Sequence, residues 1–174
     1  MSLTSAPIPA ITDGDHVRGP EDAPLIVLYA DFTCPRCVVA RERLREKPLR
    51  VVFRHFALKA KHPRAVPLAQ AAEAAALQGA FWPFHDALYD DPGRIDDPHL
   101  WARAERLGLD LGRFDADRWS AAVAERVTGD VRAGMRAGVA LTPTLVAPDG
   151  AMHPGAPSEM LLAAILGRAS EQEQ

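Results

Sequence analysis

The sequence predicts an α/β fold interrupted by a long all-helical segment, and three features carry that prediction. The apolar run Leu25-Ile26-Val27-Leu28-Tyr29-Ala30 leads through Phe32-Thr33-Cys34-Pro35-Arg36-Cys37 into the helical pattern Val38 to Leu44. A β-branched, aromatic-rich run, Leu49 to Phe56, follows, so strand, helix and strand succeed one another as in a right-handed parallel crossover. Roughly 75 residues of helical pattern then precede the next strand signal at Thr144-Leu145-Val146-Ala147, far too many for an ordinary connection.

Taken in order, the residues up to about Ala23 are rich in Pro, Gly and Asp, with Ile8 to Ile11 a candidate edge strand. Asp15-His16-Val17-Arg18-Gly19-Pro20 reads as a turn. Leu25 to Ala30 lacks polar alternation, which suits a central strand covered on both faces. The first helix is expected to run to about Lys47, with Arg41, Arg43, Arg45 and Lys47 on its wet face. Ala65 to Ala80 is an alanine-dense helix that tolerates Pro67 only in its first turn. A second helix follows from Phe81 to Tyr89, with Pro83 near its start.

Asp97 and Pro98 read as N-cap and first residue of a helix over Leu100 to Leu107, stopped by Gly108. Asp115 is expected to start the last helix of the block, Trp119 to about Arg136. Asp149-Gly150 signals a hairpin leading to a short strand near Ala151 to His153, which Pro148 and Pro154 push to an edge. A closing amphipathic helix covers Met160 to Leu166, and the charged tail after Arg168 is expected to fray.

At 174 residues the chain suits one domain, or one carrying an insertion. Its 48% hydrophobic and 25% charged residues are those of a globular protein. A net charge of -3 gives no electrostatic reason to expect nucleic acid or an anionic membrane as partner. No apolar run approaches the ~20 residues that span a bilayer. Met1 to Pro7 lacks the basic and apolar regions of a secretory leader, so the expected location is cytoplasmic.

Two cysteines are too few for a disulfide scaffold and are better placed to react. Cys34 falls where a helix begins, its amides unpaired and its dipole positive, so the thiolate is favoured over the thiol. Pro35 suits the first helical turn, and Arg36 adds a fixed positive charge. An unperturbed cysteine with pKa ~8.5 is only about 3% ionised at pH 7, whereas a shift of ~2 units makes the anion the majority. Cys37, three residues on, is placed to close a disulfide on Cys34. Half a zinc site and a pair of inert core cysteines are the competing readings. A structural zinc site wants four ligands and there is no second Cys pair; a mixed site would have to draw on residues such as His62 or His85. No metal or other cofactor is expected.

Three further stretches make the reading specific. Gly138-Val139-Ala140-Leu141-Thr142-Pro143-Thr144 precedes the hairpin, Asp15 to Pro20 with Ala23-Pro24 precedes the first strong strand, and Gln78-Gly79 is followed by Phe81-Trp82 and Phe84-His85-Asp86. Together with Cys34-Pro35-Arg36-Cys37 this pattern resembles the DsbA-like branch of the thioredoxin superfamily, from about Asp15 to near Gly167. The resemblance implies a thioredoxin-like fold with an inserted all-helical domain: residues 1–62 and 139–174 the thioredoxin-like part, 63–138 the insertion. It also implies a cis peptide before Pro143 facing the cysteines, with Thr142 offering its backbone to an extended substrate. One departure stands out. Many members carry a buried acid six positions before the first cysteine, where this chain has Leu28; Asp31 is the nearest carboxylate.

Other residues invite simpler readings. His62 and His85 suit structural or surface roles, and Phe81, Trp82 and Phe84 suit the core. Asp90-Asp91 and Asp96-Asp97 fit capped loops, since the spacing of an EF-hand is missing. Phe32, just before the reactive turn, is the candidate for a substrate groove.

The implied activity is thiol–disulfide exchange with disulfide- or thiol-bearing proteins or small thiols, Cys34 attacking and Cys37 resolving. The recycling partner is unknown. The alternative, favoured by Leu28, is a non-catalytic module that binds a partner along Thr142-Pro143.

Overall fold

The computed structural model describes residues 6–172. Five strands form one sheet in the order β1-β3-β2-β4-β5. They are β1 (His16–Arg18), β2 (Leu25–Ala30), β3 (Arg50–His55), β4 (Thr144–Val146) and β5 (Met152–Pro154). The helices are α1 (Pro35–Leu44), α2 (Ala65–Ala76), α3 (Phe81–Asp90), α4 (Asp97–Arg106), α5 (Leu111–Arg118), α6 (Ala121–Ala137) and α7 (Glu159–Gln172).

The unalternating apolar run of β2 takes the central position, and its residues from Ile26 to Ala30 are all buried. β2 pairs antiparallel with β4, Leu28 opposite Leu145, and β4 pairs antiparallel with β5 across the Asp149-Gly150 turn. β5 lies at the sheet edge, where Pro154 costs no ladder bond.

The chain divides into two compact units. One comprises Met1–Ala30, Cys34–Arg54 and Ala133–Gln174; the other comprises Asp31–Thr33 and His55–Arg132. In the first, Ile26, Tyr29, Val52, Phe53, Leu145 and Leu162 are among the buried residues. In the second, the alanines of α2 let α3 and α5 come close, and Leu68, Phe84, Leu100 and Phe114 are fully buried. Pro67 falls in the first turn of α2, as its missing N–H requires.

Several expectations are corrected. Ile8 to Ile11 is not a strand; the strand is β1, within the segment read as a turn, pairing His16 with Phe53 and Arg18 with Val51. Three residues are too few to show a period. Gly19 then leaves the sheet at φ +109, where a Cβ would lie 2.1 Å from the Leu49 carbonyl oxygen. α1 ends at Leu44, and Arg41 is buried against Glu42 instead of lying on the wet face.

The cap of α4 is Asp96, one residue earlier than expected, accepting from the His99 amide. The segment before Trp119 is a helix of its own, α5, capped by Asp110, whose carboxylate accepts from the Arg113 amide. α7 continues past Arg168 to Gln172; the last two residues of the tail, and Met1 to Ser5 of the opening segment, lie outside the described residues.

Candidate active site

Cys34 is the N-cap of α1, with φ -89 and ψ 116, and Pro35 opens the helix. The strand-to-helix junction read from sequence therefore fixes the backbone at this cysteine. Its carbonyl accepts from the Cys37 amide at 2.9 Å, and its side chain is half-buried, whereas Cys37 is 1% exposed on the inner face of the helix. No disulfide joins the two cysteines in this structure.

The loop after α6 reaches the same place. α6 is followed by Gly138, whose φ of +97 turns the chain while Val139 donates back to the Gly134 carbonyl. The Thr142–Pro143 peptide is cis. Its flanks are tied down: Gly155 donates to the Pro143 carbonyl at 2.7 Å, and the Thr144 hydroxyl to the Leu141 carbonyl at 2.8 Å. The Cys34 Sγ lies 3.4 Å from the Thr142 carbonyl oxygen, to which the protonated thiol donates.

The thiolate has better partners than the thiol. The Cys34 pKa is lowered from 9.0 to about 5. The largest cause is the hydrogen bond from the Cys37 thiol; partial burial opposes it, and the Thr142 side chain with the amides of Cys37 and Arg36 adds to it. At pH 7 such a group is about 99% ionised.

Two expectations change here. The Arg36 side chain is exposed, and the lowering rests on hydrogen bonds, not on its guanidinium charge; only its backbone contributes. Phe32 is no groove residue. It is 2% exposed, with its ring 6.0 Å from His55, 5.7 Å from His85 and 5.0 Å from Tyr89, because an aromatic side chain at the end of a central strand turns into the core.

The histidines take structural places. His85 is buried among Phe81, Trp82 and Tyr89, with Nδ1 2.9 Å from Asp86, and His62 Nδ1 accepts from the Arg64 amide. Sequence reasoning passed over a buried polar group: His55 Nε2 lies 2.7 Å from Glu73, and the His55 amide donates to Asp130. Nothing in the spacing of residues so far apart along the chain could have joined them. It also left open Asp31, which is buried and bonded to Thr33; Asp-x-Thr is the local signal for that turn.

Known proteins resemble the chain in the same way. Residues 61–167 match the model of the DSBA-like thioredoxin domain, a match that begins after the cysteine pair. Among solved structures, a thioredoxin-like oxidoreductase from Silicibacter pomeroyi superposes with a TM-score of 0.80 at 24% identity, covering 92% of this chain and 94% of that one. The thiol-disulfide exchange protein alpha-DsbA2 from Wolbachia pipientis gives 0.74 at 19% identity, covering 90% and 86%.

A protein named Na(+)/H(+) antiporter NhaA 3, from Salinispora tropica, is 43% identical over 85% of this chain but only 24% of its own length. One named Na(+)/H(+) antiporter NhaA, from Herminiimonas arsenicoxydans, is 43% identical over 75% of this chain and 22% of its own. The chain thus spans about a quarter of the length of the curated relatives it matches. Among the described residues no helix is long and apolar enough to cross a membrane. The sheet order, the helices that interrupt it and the matched family model agree: this is a thioredoxin-like fold, and the chain belongs to the DSBA-like thioredoxin domain family.

Proposed function

We propose that the protein is a thiol–disulfide oxidoreductase with Cys34 as nucleophile and Cys37 as resolving thiol. The observation that carries this reading is the geometry at the start of α1, where Cys34 is the N-cap with its Sγ 3.4 Å from the Thr142 carbonyl oxygen and Cys37 follows one turn on. In the reducing direction the Cys34 thiolate attacks a substrate disulfide, forming a mixed disulfide and expelling one substrate thiolate. Cys37 passes its proton to the expelled substrate thiolate and attacks the Cys34 sulfur, breaking the mixed disulfide; the second substrate thiolate leaves, and two electrons have passed to the substrate. Run backwards, the same steps oxidise a dithiol.

Pro35 frees the helix start of a donor that would need a partner, and the amide of Arg36 helps hold the anion. In this reading the backbone of Thr142, beside Pro143, is the place where an extended segment of a protein substrate pairs. Stabilising the thiolate stabilises the reduced enzyme, which pushes the pair towards oxidising behaviour. The compartment then sets the direction of exchange. Insulin-disulfide reduction by the wild type and by Cys34→Ser tests the reading: activity in the wild type alone supports it, and equal rates favour a non-catalytic binding module.

The antiporter-named relatives favour a compatible second reading, in which an Na(+)/H(+) antiporter is a disulfide-exchange substrate of this chain. Trapping with Cys37→Ser, which halts exchange at the mixed disulfide, tests it: an antiporter in the trapped adduct supports the association, and adducts with other proteins alone remove it.

A further inference from the structure

Three residues join β2 to Cys34, and each is held. Phe32 is buried in its aromatic cluster. Asp31 is 5% exposed, and one of its oxygens, Oδ1, accepts from both the amide (2.8 Å) and the hydroxyl (2.9 Å) of Thr33, the residue bonded to Cys34. Burying a carboxylate costs free energy unless hydrogen bonds compensate. A carboxylate three residues before a thiolate also works against the thiolate by like charge. Geometry gives a reason for an acceptor here. The N-cap must meet the end of a central strand within three residues, and an acceptor that clamps Thr33 removes the freedom of that short connector.

We propose that Asp31 is a positioning residue for Cys34: its Oδ1 locks Thr33 and so holds the cysteine at the helix N-cap, with its sulfur at Thr142. This rests on the proposed exchange chemistry and adds to it a requirement for an acceptor, not a charge, at position 31.

Asn keeps an oxygen acceptor and removes the charge, and Ala removes both, so the two variants separate the roles. Thiolate absorbance is titrated in the full chain for wild type, Asp31→Asn and Asp31→Ala, with alkylation by iodoacetamide followed at pH 6. The expected result is a Cys34 pKa in Asp31→Asn at or below the wild-type value. In Asp31→Ala it rises by about one unit, so that the thiolate fraction at pH 6 falls from about nine-tenths to about half. Should Asp31→Ala fail to fold, Thr33→Val and Thr33→Ser replace it: Val loses the hydroxyl and raises the pKa, while Ser keeps the hydroxyl and restores it. Asn and Ala shifting together, in either direction, or neither shifting, overturns the proposal. An ordinary thiol in the wild type would instead remove the exchange reading itself.

Discussion

The sulfur of Cys34 sits 3.4 Å from the carbonyl oxygen of Thr142, 108 residues away in the chain. This contact favours the protonated thiol, yet the group is a thiolate at neutral pH, because the donors around it outweigh one acceptor. The Thr142 hydroxyl is one of those donors. Thr142→Val keeps the carbonyl and the shape but deletes the hydroxyl. The Cys34 pKa is expected to rise by about one unit, as read from thiolate absorbance.

Arg36→Gln makes the opposite case. Its guanidinium is exposed and solvent-screened, so the Cys34 pKa is expected to move by less than about half a unit. Titration of this variant beside Thr142→Val ranks the two influences directly.

The depressed pKa also links stability to pH. Cys34 titrates near 5 when folded and near 9 when unfolded, so the folded state binds fewer protons in between. Its contribution to the reduced protein is therefore full above pH ~9 and is lost as pH falls through about 5. Denaturant unfolding of reduced wild type against Cys34→Ser is expected to show an advantage for the wild type that grows over this range. It reaches the order of 2 kcal/mol once solvent screening of a half-buried group is allowed for.

Away from the site, Gly19 is fixed by both backbone and space. Its φ of +109 suits no side chain, and a Cβ would collide with the Leu49 carbonyl, a backbone atom that cannot swing aside. Gly19→Ala is expected to cost about 3 kcal/mol or more in chemical denaturation.

Asp15 and Arg54 form a two-pronged ion pair at 2.9 and 3.0 Å, both side chains buried, and Arg54 also binds the carbonyls of Pro9 and Ala10. The arginine thus ties residues 9–15 to β3. Asp15→Ala leaves a buried guanidinium without its counter-ion and is expected to cost about 3–5 kcal/mol. Arg54→Met, which removes the charge and keeps the bulk, is expected to cost less; thermal unfolding compares the two.

What the sequence made legible was whatever short range decides. The run from Leu25 to Cys37 placed a strand, a junction and a helix, and Pro67, Asp149-Gly150 and Gly138 to Thr144 marked their own local structure. Longer-range features were hidden. β1 exists because His16 to Arg18 pair with β3, not because three residues prefer a strand. α5 was obscured because it follows directly on the Gly108 stop and begins only where Asp110 acts as its cap. Phe32 and Arg36 were placed by adjacency to Cys34 along the chain, but a strand end sends one side chain inward and a helix surface sends the other to solvent. The donors to the thiolate come partly from Thr142, which only the fold brings near.

The most direct test of the account is the absorbance of the Cys34 thiolate followed against pH in the reduced wild type, with Cys34→Ser as blank. A midpoint near 5 is the result the account predicts. A midpoint near that of a free cysteine, about 8.5, would contradict it.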